Sequence, residues 1–451
     1  MDYNYTALGF LFYTVILISI IWISSRRSSA SAFLIAERKV GTFRTLASLV
    51  AGMRDGAGLA AWISLAYLYG FGTFSMTVGL SCALLILAIF APTLRRLGEE
   101  RGYLSITDVI RDYVGSRTAQ ATSFIILVTA FLIAAAQLYV AGRLLGDIAG
   151  GSSQAGIFLA AFLVAVYITL GGYRTVTATD VFEFLVIMSI AVLPFLIGLP
   201  DGEMLAPKGI AMPADISLSL TLIAFMIVLC IGDVWQRIFS SRSGQTARKG
   251  LIIAVPVYAL ISFGLILIGF SLREILPTVP VTDVFFAAFT TPAIDAPWRA
   301  LLAVFTVAAT LSTLDTQVFL FSSTLLRWVH SARKQDFSDQ QQVRFMRRSV
   351  WALLAVLVIL SSLIQNIIAY LFGACTLVTI LLPVVIYALL SLRKPTLIPK
   401  RDEAVFIILL AVGALYAAMF IGGAFVDMRW TIFPGALATV LFLAAKTKIK
   451  F

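Results

Sequence analysis

A group of hydroxyl and carboxyl side chains lies inside an apolar stretch at residues 300–326 of the 451-residue sequence. Ser312, Asp315 and Thr316 stand at positions i, i+3 and i+4, so on a helix their oxygen atoms project from one face. Converging hard oxygen ligands can replace the hydration shell of a hard cation such as sodium. In the alternative interpretation, the hydroxyls bond to their own helix and Asp315 faces water in a vestibule.

The composition is typical of a polytopic helical membrane protein. Hydrophobic residues make up 60% of the chain, charged residues 13%, and the mean hydropathy is +0.98. In lipid, apolar runs of about 20 residues form helices, because every backbone polar group must bond within its own segment. These values exclude a soluble domain. Cys82, Cys230 and Cys375 lie at unrelated spacing in apolar segments, which predicts neither a disulfide framework nor a zinc site.

Apolar runs predict thirteen membrane spans, so the two ends of the chain lie on opposite sides of the membrane. Residues 1–6 contain no basic residue and no cleavage motif, so the first span is predicted to be retained. The predicted spans are 7–24, 45–70, 73–93, 119–147, 155–171, 176–199, 215–233, 251–271, 299–326, 349–364, 366–391, 404–422 and 430–445.

Basic residues are concentrated in the loops that follow odd-numbered spans. The positive-inside rule therefore places the N-terminus outside and the C-terminus in the cytoplasm, and membrane orientation explains the net charge of +11 better than nucleic-acid binding does. The basic residues on the cytoplasmic side are Arg26, Arg27, Arg95, Arg96, Arg174, Arg237, Arg248, Lys249, Arg347, Arg348, Lys394, Lys400, Arg401, Lys446, Lys448 and Lys450. Those in the opposite loops are Lys208, Arg273, Arg299 and Arg429.

Three connections carry structural signals. Residues 102–117 place apolar and charged residues at helical spacing, which predicts a short amphipathic helix at the cytoplasmic interface. Residues 281–289, inside the external loop 272–298, predict a partial helix over the outer mouth. Spans 10 and 11 are joined only by Gln365-Asn366 and should form an antiparallel hairpin.

The second span has an unusual centre. Gly52, Arg54, Asp55, Gly56 and Gly58 place charges and glycines at mid-membrane, a composition that favours a break in the helix. Broken helices expose backbone carbonyls and bind ions or substrates in many secondary transporters. The alternative is a seam of small residues that packs against another helix, with the two charges paired to each other.

A glycine turn, Gly171-Gly172, precedes a span whose first turns carry Asp180 and Glu183. These acids are candidate ion ligands. Stabilisation of the helix dipole at a helix N-terminus is the alternative explanation.

A fourth motif comprises Asp233, Trp235, Gln236 and Arg237, followed by a basic loop. By itself it is typical of the cytoplasmic end of a span, with an aromatic anchor at the interface.

Taken together, these motifs resemble the sodium/solute symporter family, which includes sodium-coupled glucose, proline and sialic acid transporters. The resemblance covers residues 7–445. The stretches that match the family's signatures are Phe33-Leu34 with Ala36-Glu37-Arg38, Gly171-Gly172 with Val176 and Thr179-Asp180, Asp233 with Trp235-Gln236-Arg237, and Ala309 with Ser312-Thr313 and Asp315-Thr316.

The resemblance implies an all-α membrane protein with a leucine-transporter-type fold, about thirteen transmembrane helices and a 5+5 inverted repeat. Spans 2 and 7 would be the broken pair. The implied domains are 1–44 (a peripheral span and a cytoplasmic loop), 45–199 (the first repeat), 200–391 (the second repeat) and 392–451 (two peripheral spans and a cytoplasmic tail).

The resemblance also implies ion sites, with sodium as the cofactor. The main sodium site would be formed by the carbonyls of Met53, Gly56 and Ala309 and the hydroxyls of Ser312 and Thr313. Some relatives have a second sodium site, which here would map to Asp180, Ser312, Asp315 and Thr316.

Four residues depart from the family's pattern. Arg174 and Thr175 replace the commoner pair before Val176. Glu183 stands where the family has Gln, and Arg54 places a cation inside the break, where it would favour a carboxylate substrate. Asp55 matches an acid of the proline-transporting branch. Together with Gln137 and Tyr139 of span 4, Arg54 and Asp55 are the candidate substrate residues. An amino acid or another small carboxylate is the preferred solute, and a sugar is the alternative.

The predicted function is sodium-coupled import of a small organic solute by alternating access, in the plasma (inner) membrane. One alternative is proton coupling through Asp55, Asp180, Glu183 and Asp315. Another is a transporter-like sensor without transport. No enzymatic activity is predicted, because His330 is the sequence's one histidine, expected in a cytoplasmic loop, and no phosphate-binding loop is present.

Overall fold

A computed structural model describes residues 3–25, 29–148, 151–191, 193–194, 211–333, 337–393 and 402–447. Its α-helices, numbered in chain order, are α1 (Tyr3–Ser25), α2 (Ala30–Ile35), α3 (Thr42–Met53), α4 (Gly56–Tyr69), α5 (Ser75–Glu100), α6 (Ile106–Tyr113), α7 (Ser116–Ile148), α8 (Ser153–Met188), α9 (Ala214–Cys230), α10 (Gly232–Ser240), α11 (Gly244–Ile275), α12 (Val284–Ala287), α13 (Ala296–Arg333), α14 (Asp339–Ser361), α15 (Ile367–Thr379), α16 (Leu382–Ser391), α17 (Asp402–Ile421) and α18 (Phe433–Thr447). Short 3₁₀ helices occupy Ala36–Arg38, Gly70–Phe74, Ser189–Ala191, Ala424–Val426 and Met428–Ile432.

The chain is a multi-pass membrane protein. Within the described ranges, nine helices are long and apolar enough to cross a membrane, or ten if the bent pair α9 and α10 is one span. Two of the nine, Gly56–Glu100 and Ser153–Ala191, each contain parts of two predicted spans, and the tenth predicted span forms the separate helix α14. All thirteen predicted segments are therefore mainly helical over their described residues.

Part of the evidence for orientation lies outside the described residues, as does the end of the sixth predicted span, 195–199. The basic residues concerned are Arg26, Arg27, Lys208, Lys394, Lys400, Arg401, Lys448 and Lys450. The orientation and the domain boundaries stay predictions.

The second predicted span is broken at Arg54 and Asp55, as its glycines and charges predicted. α3 ends at Met53, Arg54 leaves the helical region (φ −98°, ψ 74°) and Asp55 is extended (φ −84°, ψ 155°). α4 then begins at Gly56, with the Asp55 carboxylate accepting a hydrogen bond from the Gly58 N–H. The Asp55 carboxylate thus gives a partner to one of the N–H groups in the first turn of α4 that have none within the helix. Asp55 therefore both interrupts the span and caps the helix that follows.

A second break separates α9 from α10 at Ile231, where the helices bend by 45°. The Trp235 indole N–H donates to the Leu229 carbonyl at 2.8 Å, which satisfies an acceptor at the end of α9. Trp235 and Arg237 are only 0% and 2% exposed. The interpretation of Trp235 as an interfacial anchor and Arg237 as a cytoplasmic loop cation was wrong, because the bend places both side chains inside the bundle.

The predicted glycine turn lies within α8 and joins the fifth and sixth spans without a loop. Gly172 has φ +57° and ψ −148°, a conformation that is accessible almost only to glycine. A Cβ at this position would also lie 2.6 Å from the Phe33 ring of α2. The turn therefore brings α8 against α2, and the half of α8 that follows it carries Asp180 in the protein interior.

α13 runs through the middle of the bundle, packed against α1, α7 and α8. It continues to Arg333, so His330 lies in a helix and not in the predicted loop, with its ring 5.9 Å from that of Phe337. The apolar run in the sequence predicts a span that ends at residue 326, seven residues before the helix ends.

The broken helices α3 and α10 are tied together at the end predicted to be cytoplasmic. The Val40 N–H donates to the Ser240 carbonyl at 3.2 Å, and the Arg242 N–H donates to the Val40 carbonyl at 2.8 Å. The hydroxyls of Thr45 and Ser241 add a bond of 3.1 Å. These contacts close the bundle between the start of α3 and the end of α10.

The two predicted short helices are present as α6 and α12, each shorter than the stretch that predicted it. α6 is held by Asp108, whose carboxylate accepts from the backbone N–H groups of Leu104 and Ser105 and pairs with Arg327 of α13 at 2.9 Å. Burial alone would raise the pKa of Asp108, but Arg327 and the Leu104 N–H hold it below the ordinary value. Its stabilising effect is therefore present above the pKa of about 3.9 in the unfolded chain and is lost as the pH falls through the lower folded-state pKa.

We expect Asp108→Asn to lower the free energy of unfolding by about 2 kcal/mol, because it leaves Arg327 beside a neutral group and weakens the helix cap. The melting temperature in detergent should fall by about 2–4 °C at neutral pH. Glu99→Gln is the control, since Glu99 pairs with Arg95 while 73% exposed and such surface pairs contribute little. Equal melting temperatures for the two variants would contradict a structural role for Asp108.

Candidate functional site

The break between α3 and α4 leaves backbone carbonyls without their helical partners. In a continuous helix, the N–H groups of Ala57 and Gly58 would bond to the carbonyls of Met53 and Arg54. Here the Ala57 N–H donates to the Gln137 side-chain oxygen at 3.2 Å, and the Gly58 N–H donates to Asp55. The Met53 carbonyl therefore lacks the N–H partner that a continuous helix would give it.

α13 lies directly against the break. The Thr313 hydroxyl donates to the Gly52 carbonyl at 3.3 Å, and a Cβ at Gly56 would overlap the Thr310 hydroxyl. Ala309 is fully buried on the same helix, one residue before Thr310. The structure thus brings together the two stretches of chain predicted to form the main sodium site.

Asp180 of α8 is the polar centre of the neighbouring space. Its carboxylate is fully buried and accepts hydrogen bonds from the hydroxyls of Ser312 on α13, at 2.9 Å, and Ser48 on α3. Arg237 of α10 lies 3.9 Å from it. Three helices and a guanidinium therefore meet at one carboxylate, so this group is more than a helix-dipole partner.

The other residues predicted for the second sodium site have separate partners. Asp315 accepts a hydrogen bond of 2.8 Å from the Tyr167 hydroxyl, and Thr316 accepts one of 3.1 Å from Arg237. Glu183 accepts from the Tyr13 hydroxyl of α1 at 3.1 Å. One buried oxygen of Asp315 and one of Glu183 have no hydrogen-bond partner.

The cluster contains more acidic than basic side chains. Asp180, Glu183 and Asp315 interact electrostatically with one another, and Asp233 pairs with Arg237 at 3.0 Å. Against these four carboxylates the neighbouring cations are Arg237 and, near the start of α3, Arg44. Among the described residues, four buried carboxyl groups therefore face two neighbouring cations, and buried charges need a partner.

Arg54 turns away from the ion cluster. Its guanidinium carbon lies 4.6 Å from the Trp62 ring centroid and 5.1 Å from that of Tyr258, and its Nη2 donates to Ser262 and to the Tyr258 carbonyl. The side chain is 3% exposed and its Nε has no partner. Arg54 is thus a buried cation held by aromatic faces and neutral oxygens.

Asp55 does not pair with Arg54. Besides capping α4, it accepts from the Gln137 side-chain nitrogen at 2.8 Å, so Gln137 bridges the broken span from α7. Tyr139, two residues further on, accepts from Arg143 at 3.3 Å and packs on Phe286 of α12. The structure therefore groups Gln137 with Asp55 and places Tyr139 under the external loop.

Three further residues belong to this region although the sequence does not single them out: Ser48, Tyr13 and Tyr167. A serine and two tyrosines in apolar spans are common, so no local signal distinguishes them. Arg237 belonged to a recognised motif, but its burial depends on the bend at Ile231.

Comparison with known proteins gives consistent results. A model of the sodium:solute symporter family matches residues 33–201. The sodium/pantothenate symporter of Escherichia coli (strain K12) is 22% identical over 378 residues, which are 78% of this chain and 77% of the relative. The sodium/pantothenate symporter of Haemophilus influenzae is 23% identical over 358 residues, covering 74% and 71%.

The fold comparison confirms the predicted leucine-transporter-type fold. The solved structure of a Na⁺-coupled sialic acid symporter, in a substrate-bound outward-open state, matches with a TM-score of 0.81 at 16% identity. The match covers 99% of this chain and 97% of that one. The similar proteins are transporters and not enzymes, and the matching family model and the sequence relatives confirm the predicted resemblance of this chain to the sodium:solute symporter family.

Proposed function

We propose that this protein is a symporter that moves a small organic solute across the membrane together with sodium. The observation that carries the proposal is the interruption of α3 at Met53, directly against the hydroxyl-bearing face of α13. Unpaired carbonyls and hydroxyls offer hard, neutral oxygen atoms to a small cation. The matching family model and the sodium coupling named for the sequence relatives support this assignment.

In this proposal the main sodium site uses the carbonyls of Met53, Gly56 and Ala309 with the hydroxyls of Ser312 and Thr313. Thr313 already contacts the end of α3, which supports this set. Sodium there would join the broken span to α13, and its release would loosen that contact, which couples ion binding to alternating access.

The second proposed sodium site uses Asp180, Ser312, Asp315 and Thr316. The excess of buried carboxyl groups over cations, with Asp180 at the centre of their contacts, supports the binding of a further cation there. One oxygen of Asp315 accepts from Tyr167, and the other, without a hydrogen-bond partner among the described residues, would be available to the ion.

We propose that the solute is an amino acid or another small carboxylate, recognised through Arg54, with Asp55, Gln137 and Tyr139 lining its path. Arg54 is buried without a carboxylate partner, and a guanidinium in such a place favours an anionic ligand. Pantothenate and sialic acid, named for the relatives, both carry a carboxylate. We propose import across the plasma (inner) membrane, and the distribution of basic loop residues supports an N-terminus on the outside.

Proton coupling is the second candidate function. Glu183 and Asp315 each have one tyrosine hydroxyl donor and one buried oxygen without a partner, an environment in which a carboxyl group can hold a proton. Uptake driven by a pH gradient without sodium would favour this candidate.

The test is uptake of labelled amino acids, small carboxylates and sugars into proteoliposomes, with and without an inward sodium gradient. Wild type should accumulate a carboxylate only with sodium. In Ser312→Ala/Thr313→Ala the half-saturating sodium concentration should rise about 30-fold, since two hydroxyl ligands are worth about 2 kcal/mol together.

Ser323→Ala/Thr324→Ala is the matched control, because it removes the same two hydroxyl types further along α13, where Ser323 bonds only to its own helix at Leu320. It should leave the sodium dependence unchanged. Accumulation that is indifferent to sodium and to Ser312 and Thr313 would overturn the sodium assignment and support proton coupling.

A further inference from the structure

The Arg237 guanidinium lies between two broken helices and the proposed ion sites. From α10 it donates to Ser48 of α3 at 2.9 Å and to Thr316 of α13 at 3.1 Å. It pairs with Asp233, one turn earlier on α10, at 3.0 Å, and lies 3.9 Å from Asp180. No other described guanidinium is this close to Asp180 and Thr316 at once.

Gly52 leaves room for the Arg237 guanidinium beside α3. A Cβ on Gly52 would overlap Arg237 Nη2, so only a residue without a side chain lets the guanidinium lie against α3 at this level. Nη2 is also the atom that contacts Thr316 and approaches Asp180.

A sodium ion at the second proposed site would bind these same oxygen atoms. An ion that contacts both Asp180 and Thr316 would take the place of the Nη2 contacts, and two cations that share a carboxylate at this range repel strongly in a buried site. Sodium and the Arg237 guanidinium therefore cannot contact Asp180 and Thr316 at the same time.

We propose that Arg237 is a tethered cation that exchanges with sodium at Asp180. Without sodium, the guanidinium compensates Asp180 and links α10 to α3 through Ser48. With sodium, it withdraws to Asp233 on its own helix. This inference rests on the proposed function, because it presupposes sodium binding at Asp180.

The exchange has a role in the transport cycle. An empty carrier must change conformation with its ion sites vacant, and an uncompensated carboxylate at membrane depth opposes that step. Arg237 supplies the missing positive charge, so the empty carrier can return and bind again. Exchange of labelled for unlabelled solute, with sodium on both sides, does not require this step.

The experiment compares Arg237→Gln, Gly52→Ala and the exposed control Arg248→Gln in proteoliposomes. Gly52→Ala keeps the arginine but pushes its flexible end away from α3, and it preserves folding because alanine favours a helix. For each protein we would measure net uptake driven by sodium, counterflow with sodium on both sides, and sodium binding by ²²Na⁺ titration of purified protein.

Both test variants should bind sodium about tenfold more tightly than wild type, because the competing cation is removed or displaced. Net uptake should fall about tenfold while counterflow stays within about threefold of wild type, and Arg248→Gln should match wild type in all three. Unchanged sodium affinity in both variants, or an equal loss of net uptake and counterflow, would overturn the proposal that Arg237 exchanges with sodium at Asp180. Absence of sodium binding by wild type would instead overturn the proposed function and, with it, this inference.

Discussion

Asp180→Asn is expected to abolish sodium-driven accumulation of the solute. Asp180 is fully buried, and it is the carboxylate on which Ser48, Ser312 and Arg237 converge. A unit charge about 4 Å from sodium contributes about 4 kcal/mol at an effective dielectric of about 20. Removing it should raise the half-saturating sodium concentration at least about 100-fold, measured as the sodium dependence of initial uptake rates.

Glu183→Gln is the matched control for charge. It also removes one buried negative charge from the cluster, but from a residue that bonds to Tyr13 and is not part of the proposed sodium sites. We expect its sodium dependence to stay within about threefold of wild type. If Glu183→Gln abolished uptake and Asp180→Asn did not, proton coupling through Glu183 would replace the sodium assignment at Asp180. Melting temperatures of both variants would show whether each protein is folded.

Arg54→Gln is expected to raise the KM for a carboxylate solute about 100-fold and to leave sodium binding unchanged. A charge-assisted hydrogen bond to a buried guanidinium is worth about 1.5–3 kcal/mol, and the long-range attraction is lost with it. Arg54→Lys should recover part of the affinity, because it keeps the charge without the planar fork that can bind both carboxylate oxygens.

The sharpest measurement compares the KM for the transported carboxylate with the KM for its amide analogue. Wild type should prefer the carboxylate strongly, whereas Arg54→Gln should transport both compounds with similar KM. Arg273→Gln, at the end of α11, is the control for a general loss of positive charge. An unchanged preference for the carboxylate in Arg54→Gln would show that another group recognises the solute.

The main-chain architecture could be predicted to a large extent. Long apolar runs in a chain with 13% charged residues have only one stable form in lipid, so the helical segments follow from composition. The break at Arg54 and Asp55 was also predictable, because glycines and charges in one turn disfavour a continuous helix. The C-terminal end of α13 was predicted less accurately, since helix termini depend on local packing more than on apolarity.

The candidate site was predictable by residue type but not by partner. Helical spacing placed Ser312, Asp315 and Thr316 on one face, yet they bond to Asp180, Tyr167 and Arg237 respectively. These partners lie far away in the sequence, and helical periodicity identifies a face without identifying what packs against it.

The sequence by itself determined that this protein is a helical membrane protein with interrupted spans, because lipid leaves backbone groups no other way to be satisfied. Only the tertiary structure decided that Arg54 and Asp55 diverge and that Arg237 enters the bundle. The physical reason is that a buried charge takes the partner that packing brings within a few ångströms, and that partner is set by how distant helices cross.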